Sequence, residues 1–136
     1  MKYIGYQGDG VPGGRAVVVV GDDGQERTLP GRQDLFDHSP DGFMWGYSGS
    51  GPAQLSLAIL CHHFEHAPAE RIEMAKKALV SEDYTLSSTV TWPEWLAIRL
   101  HQPFKSAVVA RFSQDSGFIL TSEQVDDAIT ALVSKS

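Results

Sequence analysis

His62-His63-Phe64-Glu65-His66 is the string with the most chemical promise in this chain, and it fits the pattern H-x-x-E-H. On a helix, His62 and His66 lie one turn apart and could share a zinc ion, with Glu65 as the general base that activates water. A working centre needs a third ligand. Glu70, Glu73 and His101 are available types, yet no spacing singles one of them out. The string also falls at the end of its helix, next to Pro68, where the helix dipole alone favours histidines. A metal-dependent hydrolase is therefore carried as an alternative, with no metal expected.

Two glycine strings invite similar scrutiny. Gly8-Asp9-Gly10-Val11-Pro12-Gly13 matches G-x-G-x-x-G in letters, but a dinucleotide fingerprint must open a helix. A valine-rich strand follows here, so the string reads as a hairpin turn. Gly46-Tyr47-Ser48-Gly49-Ser50 falls one residue short of the G-x-S-x-G nucleophile elbow, because Ser50 stands where the last glycine belongs. Its turn precedes a helix, and free N–H groups at a helix start can hold an anion. Pro52 removes one such donor, however, and no lysine accompanies the loop as in a phosphate-binding loop. A small anionic-ligand sensor at Gly46 to Gly51 is a second alternative. No residue is assigned a catalytic role, and no cofactor is expected.

Surface chemistry points elsewhere. Trp45, Tyr47, Trp92 and Trp95 are candidates to line a groove, since aromatic side chains anchor interfaces. Trp45 is expected to be buried, whereas Trp92 and Trp95, with the acidic Glu82, Asp83, Asp126 and Asp127, are the expected binding residues. The net charge of −6 and a pI near 5.2 argue against broad phosphate-backbone binding. The eleven basic residues are scattered and never exceed two in a row. A protein partner with a basic surface is expected instead, with no direct nucleic acid and no membrane. One cysteine, Cys61, allows no internal disulfide, which suits a reducing cytoplasm. The opening Met1 to Gly5 is too short and polar to read as a signal peptide.

The elements that would hold these residues read as one α+β domain over 1–136: a small N-terminal antiparallel sheet packed on a buried central helix, with two or three further helices. Residues 2–6 and the β-branched run Arg15 to Val20 are strands, Asp22-Asp23-Gly24 a hairpin turn, and Gln25 to Leu29 the returning strand. Phe43 to Tyr47 reads as a short aromatic strand. Gly46, Gly49 and Gly51 then let the chain reverse into a helix, with Gly51 at its N-cap, Pro52 first and Gln54 reaching back to the cap. From Ala53 to Phe64 the apolar residues surround that helix, the mark of a central one. Ala69 to Val80 is a second helix with Glu73 and Lys77 paired. A third begins at Pro93, carries Leu96, Leu100, Phe104, Val108 and Phe112 at four-residue spacing, and should kink or break at Pro103. Phe118 to Leu120 is a strand or an extended connection, and Thr121 to Gln124 a capping box that opens the last helix.

The string from Gly42 to Leu60, GFMWGYSGSGPAQLSLAIL, resembles the hallmark of a family of small uncharacterised domains from bacteria, phages and plasmids, whose members typically read GFEWGYGGSGPAQLALAIL. Leu35 to Ser39, His101 to Lys105 with Val108 to Ala110, and Phe118 to Thr121 are similar to further segments of that family. Pro103 and the length of Ala67 to Trp92 depart from its pattern. The resemblance implies a domain often carried by mobile elements, with no accepted activity and no catalytic residues to transfer. The expected function is thus a non-enzymatic protein-binding accessory of a mobile element, for instance an inhibitor of a host defence complex such as CRISPR-Cas.

Overall fold

Successive side chains of a strand point to opposite faces, so even the run of valines in Arg15–Val20 alternates between buried and partly exposed positions. In the computed structural model, which describes residues 1–135, β1 (Lys2–Gln7) and β2 (Arg15–Val20) pair antiparallel with Tyr3 opposite Val19 and Gly5 opposite Val17. Tyr3, Val17 and Val19 turn inward and are buried. The Asp22–Gly24 turn closes with the Gly21 N–H donating to the Gln25 carbonyl at 3.1 Å, and Gly24 takes a φ of +80°. It returns the chain as β3 (Glu26–Thr28). The fourth strand comes from much later: β4 (Phe118–Thr121) joins β1 antiparallel, giving the order β3-β2-β1-β4.

Four helices complete the α+β fold: α1 (Ser50–His66), α2 (Ala69–Leu79), α3 (Trp92–Ala107) and α4 (Ser122–Ser134). Every residue from Gly51 to Cys61 is buried, so α1 is the central helix its composition predicts. It packs mainly on α3, while α4 lies against α3 and α2. The inner sheet face joins the same core. Tyr3 meets His62 of α1 edge to face at 5.5 Å, and Phe118 meets Trp45 at 5.0 Å. Among the described residues, no helix is long and apolar enough to cross a membrane.

Several local expectations change. Phe43 to Tyr47 is not a strand. Its backbone is irregular, held by the Gly46 N–H donating to the Val109 carbonyl at 3.1 Å. The aromatic spacing instead drives Trp45 into the core, 0% exposed, with Nε1 donating to the Ser116 carbonyl at 2.9 Å. Helix α1 starts two residues earlier than its proline suggests, with Gly49 as N-cap. That frees the Gln54 side chain from any capping role.

Helix α3 runs unbroken through Pro103. The carbonyl that loses its donor to Pro103 belongs to Arg99, an exposed residue, so water can replace the bond. The interruption comes later, at Val108 (φ −126°, ψ −68°), and shifts the buried stripe by one residue, so that Val109 is fully buried rather than Val108. Finally, Glu73 pairs with Lys76 at 3.1 Å, one residue before the expected Lys77.

Candidate functional site

The start of α3 is set by chemistry readable in its residues. Thr91 Oγ1 accepts from the Glu94 N–H at 3.3 Å, and Glu94 Oε1 accepts from the Thr91 N–H at 2.9 Å, a reciprocal capping box. Trp92 and Trp95 therefore sit three apart in the first turn and share a face, their rings 5.7 Å apart at 72°. Tyr84 reaches them from the loop after α2, which turns where its N–H donates to the Ser81 carbonyl at 3.1 Å. Its ring lies 6.1 Å from Trp92 and 5.5 Å from Trp95, tilted to both. From α2, the Lys76 ammonium stands 4.4 Å from the centre of the Trp92 ring, with Glu73 beside it at 3.1 Å. A cleft of about 410 Å³ adjoins the cluster, walled by Glu73, Lys76, Val80, Glu82, Tyr84 and Trp92 among others.

The expected binding residues thus divide. Trp92, Trp95 and Glu82 come together, with Asp83 exposed beside Glu82. Asp126 does not join them. Its Oδ1 accepts from His63 Nε2 at 2.6 Å, and its Oδ2 lies 3.8 Å from Arg71, near the other end of α2 from Lys76. Asp127 is exposed on α4 next to it. Tyr84 and Lys76 were not expected to contribute. Tyr84 is the one aromatic of the polar stretch Ser81 to Thr91, and no spacing ties it to Trp92.

A second constellation is internal. The buried Gln54 Oε1 accepts from the backbone N–H groups of His38 and Ser39 at 2.8 and 3.2 Å, while its Nε2 donates to the Gly31 carbonyl at 2.7 Å. The loop so held presents His38 Nε2 to His101 Nε2 of α3 at 2.9 Å, and the exposed Phe36 stacks on His38. The His101 Nδ1–H donates to the Ile98 carbonyl at 2.7 Å, which leaves His101 Nε2 to accept from His38. Burial lowers the pKa of both imidazoles. Close by, Arg32 adopts the left-handed φ of +58° and ties its guanidinium to Asp34, Glu65 and Glu94, bridging the loop to α1 and α3. These pairings fix the loop's path, and sequence spacing gives no hint of them.

A family model, that of DUF6166, a family of unknown function, matches residues 6–91. The chain belongs to the DUF6166 family. No curated protein and no solved structure matches it. The DUF6166 match contains Gln54, the Gly46 to Gly51 turn, Lys76 and Tyr84, and it ends at Thr91, the residue that caps α3. Trp92 and Trp95 follow immediately.

Also inside the DUF6166 span, the histidine string is occupied with internal partners. Tyr3 Oη lies 3.0 Å from His62 Nδ1, and His66 Nδ1 lies 2.8 Å from the His62 carbonyl. Glu65 accepts from Arg32 at 3.2 Å, and His63 faces Asp126. Among the described residues, no group of three or more His, Cys, Asp or Glu side chains is placed to hold a metal ion. Burial pushes the Cys61 thiol up to about 12, which keeps it protonated and unreactive. A cleft of about 530 Å³ is lined by residues 13–18, Thr28, Ser39 and residues 41–44, and by none of Gly46 to Gly51.

Proposed function

We propose that this DUF6166 chain is a non-enzymatic protein-binding accessory that docks through Tyr84, Trp92 and Trp95, with Glu82 and Asp83 at the rim. The observation behind the reading is the gathering of three aromatic rings, from two separate segments, at the surface. Trp45 shows what a core aromatic looks like in this molecule, at 0% exposure, whereas Tyr84 is 44% exposed. Trp92 and Trp95 are partly buried, Trp95 against the core, so they back the exposed Tyr84 with rigid apolar area beside a cleft, which is how interfaces are anchored. The acidic rim and the net charge of −6 favour a basic protein surface over phosphates. A single buried cysteine suits a reducing cytoplasm as the place of action. Carriage on a phage or plasmid, and inhibition of a host defence complex such as CRISPR-Cas, extend the reading on the strength of the Gly42 to Leu60 resemblance.

Affinity capture from bacterial lysate tests it, with wild type and Trp92→Ala/Trp95→Ala run in parallel. The expected result is a stoichiometric partner on the wild type that is lost from a still-folded double variant. No stoichiometric partner on the wild type, or equal retention by the variant, contradicts the proposal.

A further inference from the structure

Lys76 gives the aromatic corner its chemistry. Its ammonium already sits over the face of Trp92 and beside the Glu73 carboxylate, so the corner is built to hold a cation. An aromatic face attracts cations through its quadrupole, and a neighbouring carboxylate adds a hydrogen-bonded counter-charge. The cleft alongside is lined by Val80 and by both signs of charge, Glu73 and Glu82 against Lys76 and Lys77, so it is the carboxylate paired with the ammonium over Trp92, Glu73, that singles out a cation there. Tyr84 and Trp95 hold the Trp92 ring from its other sides at 6.1 and 5.7 Å.

We infer that this corner is a receptor for a cationic side chain, an arginine or lysine on a basic segment of the partner protein, which takes the place over Trp92 that Lys76 fills in the free chain. The inference rests on the protein-binding reading above and names the chemistry the partner must present. A planar guanidinium suits the site better than an ammonium, because it stacks on the indole and forks onto Glu73 together. Lys76 is then an internal competitor that keeps the corner ordered and charge-balanced until a better cation arrives. Nucleic acid is the less favoured occupant, since Glu73 and Glu82 in the cleft wall offset Lys76 and Lys77 and leave no net positive charge for its phosphates.

Calorimetric titration with short Gly/Ser peptides carrying three arginines, three lysines or three aspartates tests this, with a single-stranded oligonucleotide as a further probe. The arginine peptide should bind saturably, the lysine peptide more weakly and the aspartate peptide not at all. Trp92→Ala should weaken arginine-peptide binding about tenfold or more, and Glu73→Gln should weaken it by a smaller factor. Lys76→Ala is the discriminating variant: it should bind several-fold more tightly, whereas a Lys76 that merely supports the corner would give weaker binding when removed.

Melting curves for each variant separate loss of the site from loss of the fold. No saturable arginine-peptide binding by wild type and Lys76→Ala, or preference for the oligonucleotide, overturns the receptor. If the lysate partner is still captured through Trp92 in that case, protein binding stands and only the cation chemistry falls. If no partner is captured either, both fail.

Discussion

Two regions of the molecule are rich in aromatic and polar residues, and they use them in opposite ways. Between Phe43 and Leu60, Trp45 is sealed in the core, Gln54 spends three hydrogen bonds on the chain's own backbone, and the helix that follows is buried all round. Between Val80 and Trp95, the exposed Tyr84 meets two partly buried tryptophans, one of them carrying a cation on its face. The first region has the more recognisable sequence, and of its aromatics only Tyr47 is exposed, at 37%. What it specifies is mainly a fold; the second region, with no repeating pattern, holds the groups we propose to meet another molecule.

The sharpest way to break this contrast is to damage the first region. Trp45→Ala should cost about 3–5 kcal/mol, since it empties a fully buried site, and that is a large share of the roughly 5–15 kcal/mol typical of a domain. Gly46→Val should be comparably severe. Gly46 has a φ of +86°, and a Cβ there would stand 2.5 Å from the backbone of Gln114. The other glycines of the turn rank below it. A Cβ on Gly51 meets Met44 at 2.5 Å, while Gly49 has ordinary extended backbone and would meet only the movable ring of Tyr47. Denaturant midpoints should therefore fall in the order Gly49→Ala, Gly51→Ala, Gly46→Ala, from least to most damaged. Equal midpoints would remove the distinction.

Next in size is Gln54→Leu, which fills the volume but leaves the His38 and Ser39 N–H groups and the Gly31 carbonyl without their partner. A loss of about 2–4 kcal/mol is expected from buried groups left unsatisfied, measured by chemical denaturation. A neutral result would show the loop to be held by its own contacts. In the second region, Trp92→Ala should cost only about 1–2 kcal/mol of stability, in keeping with a partly buried ring outside the core, while abolishing partner capture.

A further effect is on pH. Burial, then His66 and His63, hold the His62 imidazole down at about 4, against 6.5 for a free histidine. The unfolded chain therefore takes up the proton first as pH falls. Stability from His62 is complete above about pH 6.5 and is lost progressively from there down to about 4. His63, His38 and His101 are lowered in the same direction. His62→Asn should flatten this part of a melting-temperature profile against pH, and an unchanged profile would contradict it.

Local, periodic features were the legible part of this chain. The β-branched run Arg15 to Val20, the apolar girdle of α1, and the capping box at Thr121 all appear where their residues place them. Features that depend on a distant partner were not legible. Phe43 to Tyr47 looks like a strand because its side chains are aromatic, but Trp45 is inserted by contacts with Ser116 and Phe118, which are remote in sequence. Gln54 looks like a capping residue because of its position, yet its partners are in the loop between β3 and α1. At the candidate site, Trp92 and Trp95 could be named from residue type alone, whereas Tyr84 and Lys76 arrive from other segments. Asp126 looks like a free acidic residue in sequence, but His63 lies against it only in the folded chain.

The central claim, that the Tyr84 corner is the face that meets a partner, is tested most directly by photo-crosslinking in cells. A benzophenone amino acid at position 84 replaces one exposed aromatic with another, and the same group at Asp9, in the exposed turn after β1, serves as control. The account predicts one discrete adduct to a host protein from position 84, absent from position 9 and suppressed by Trp92→Ala. No adduct from position 84, or the same adduct from both positions, would contradict it.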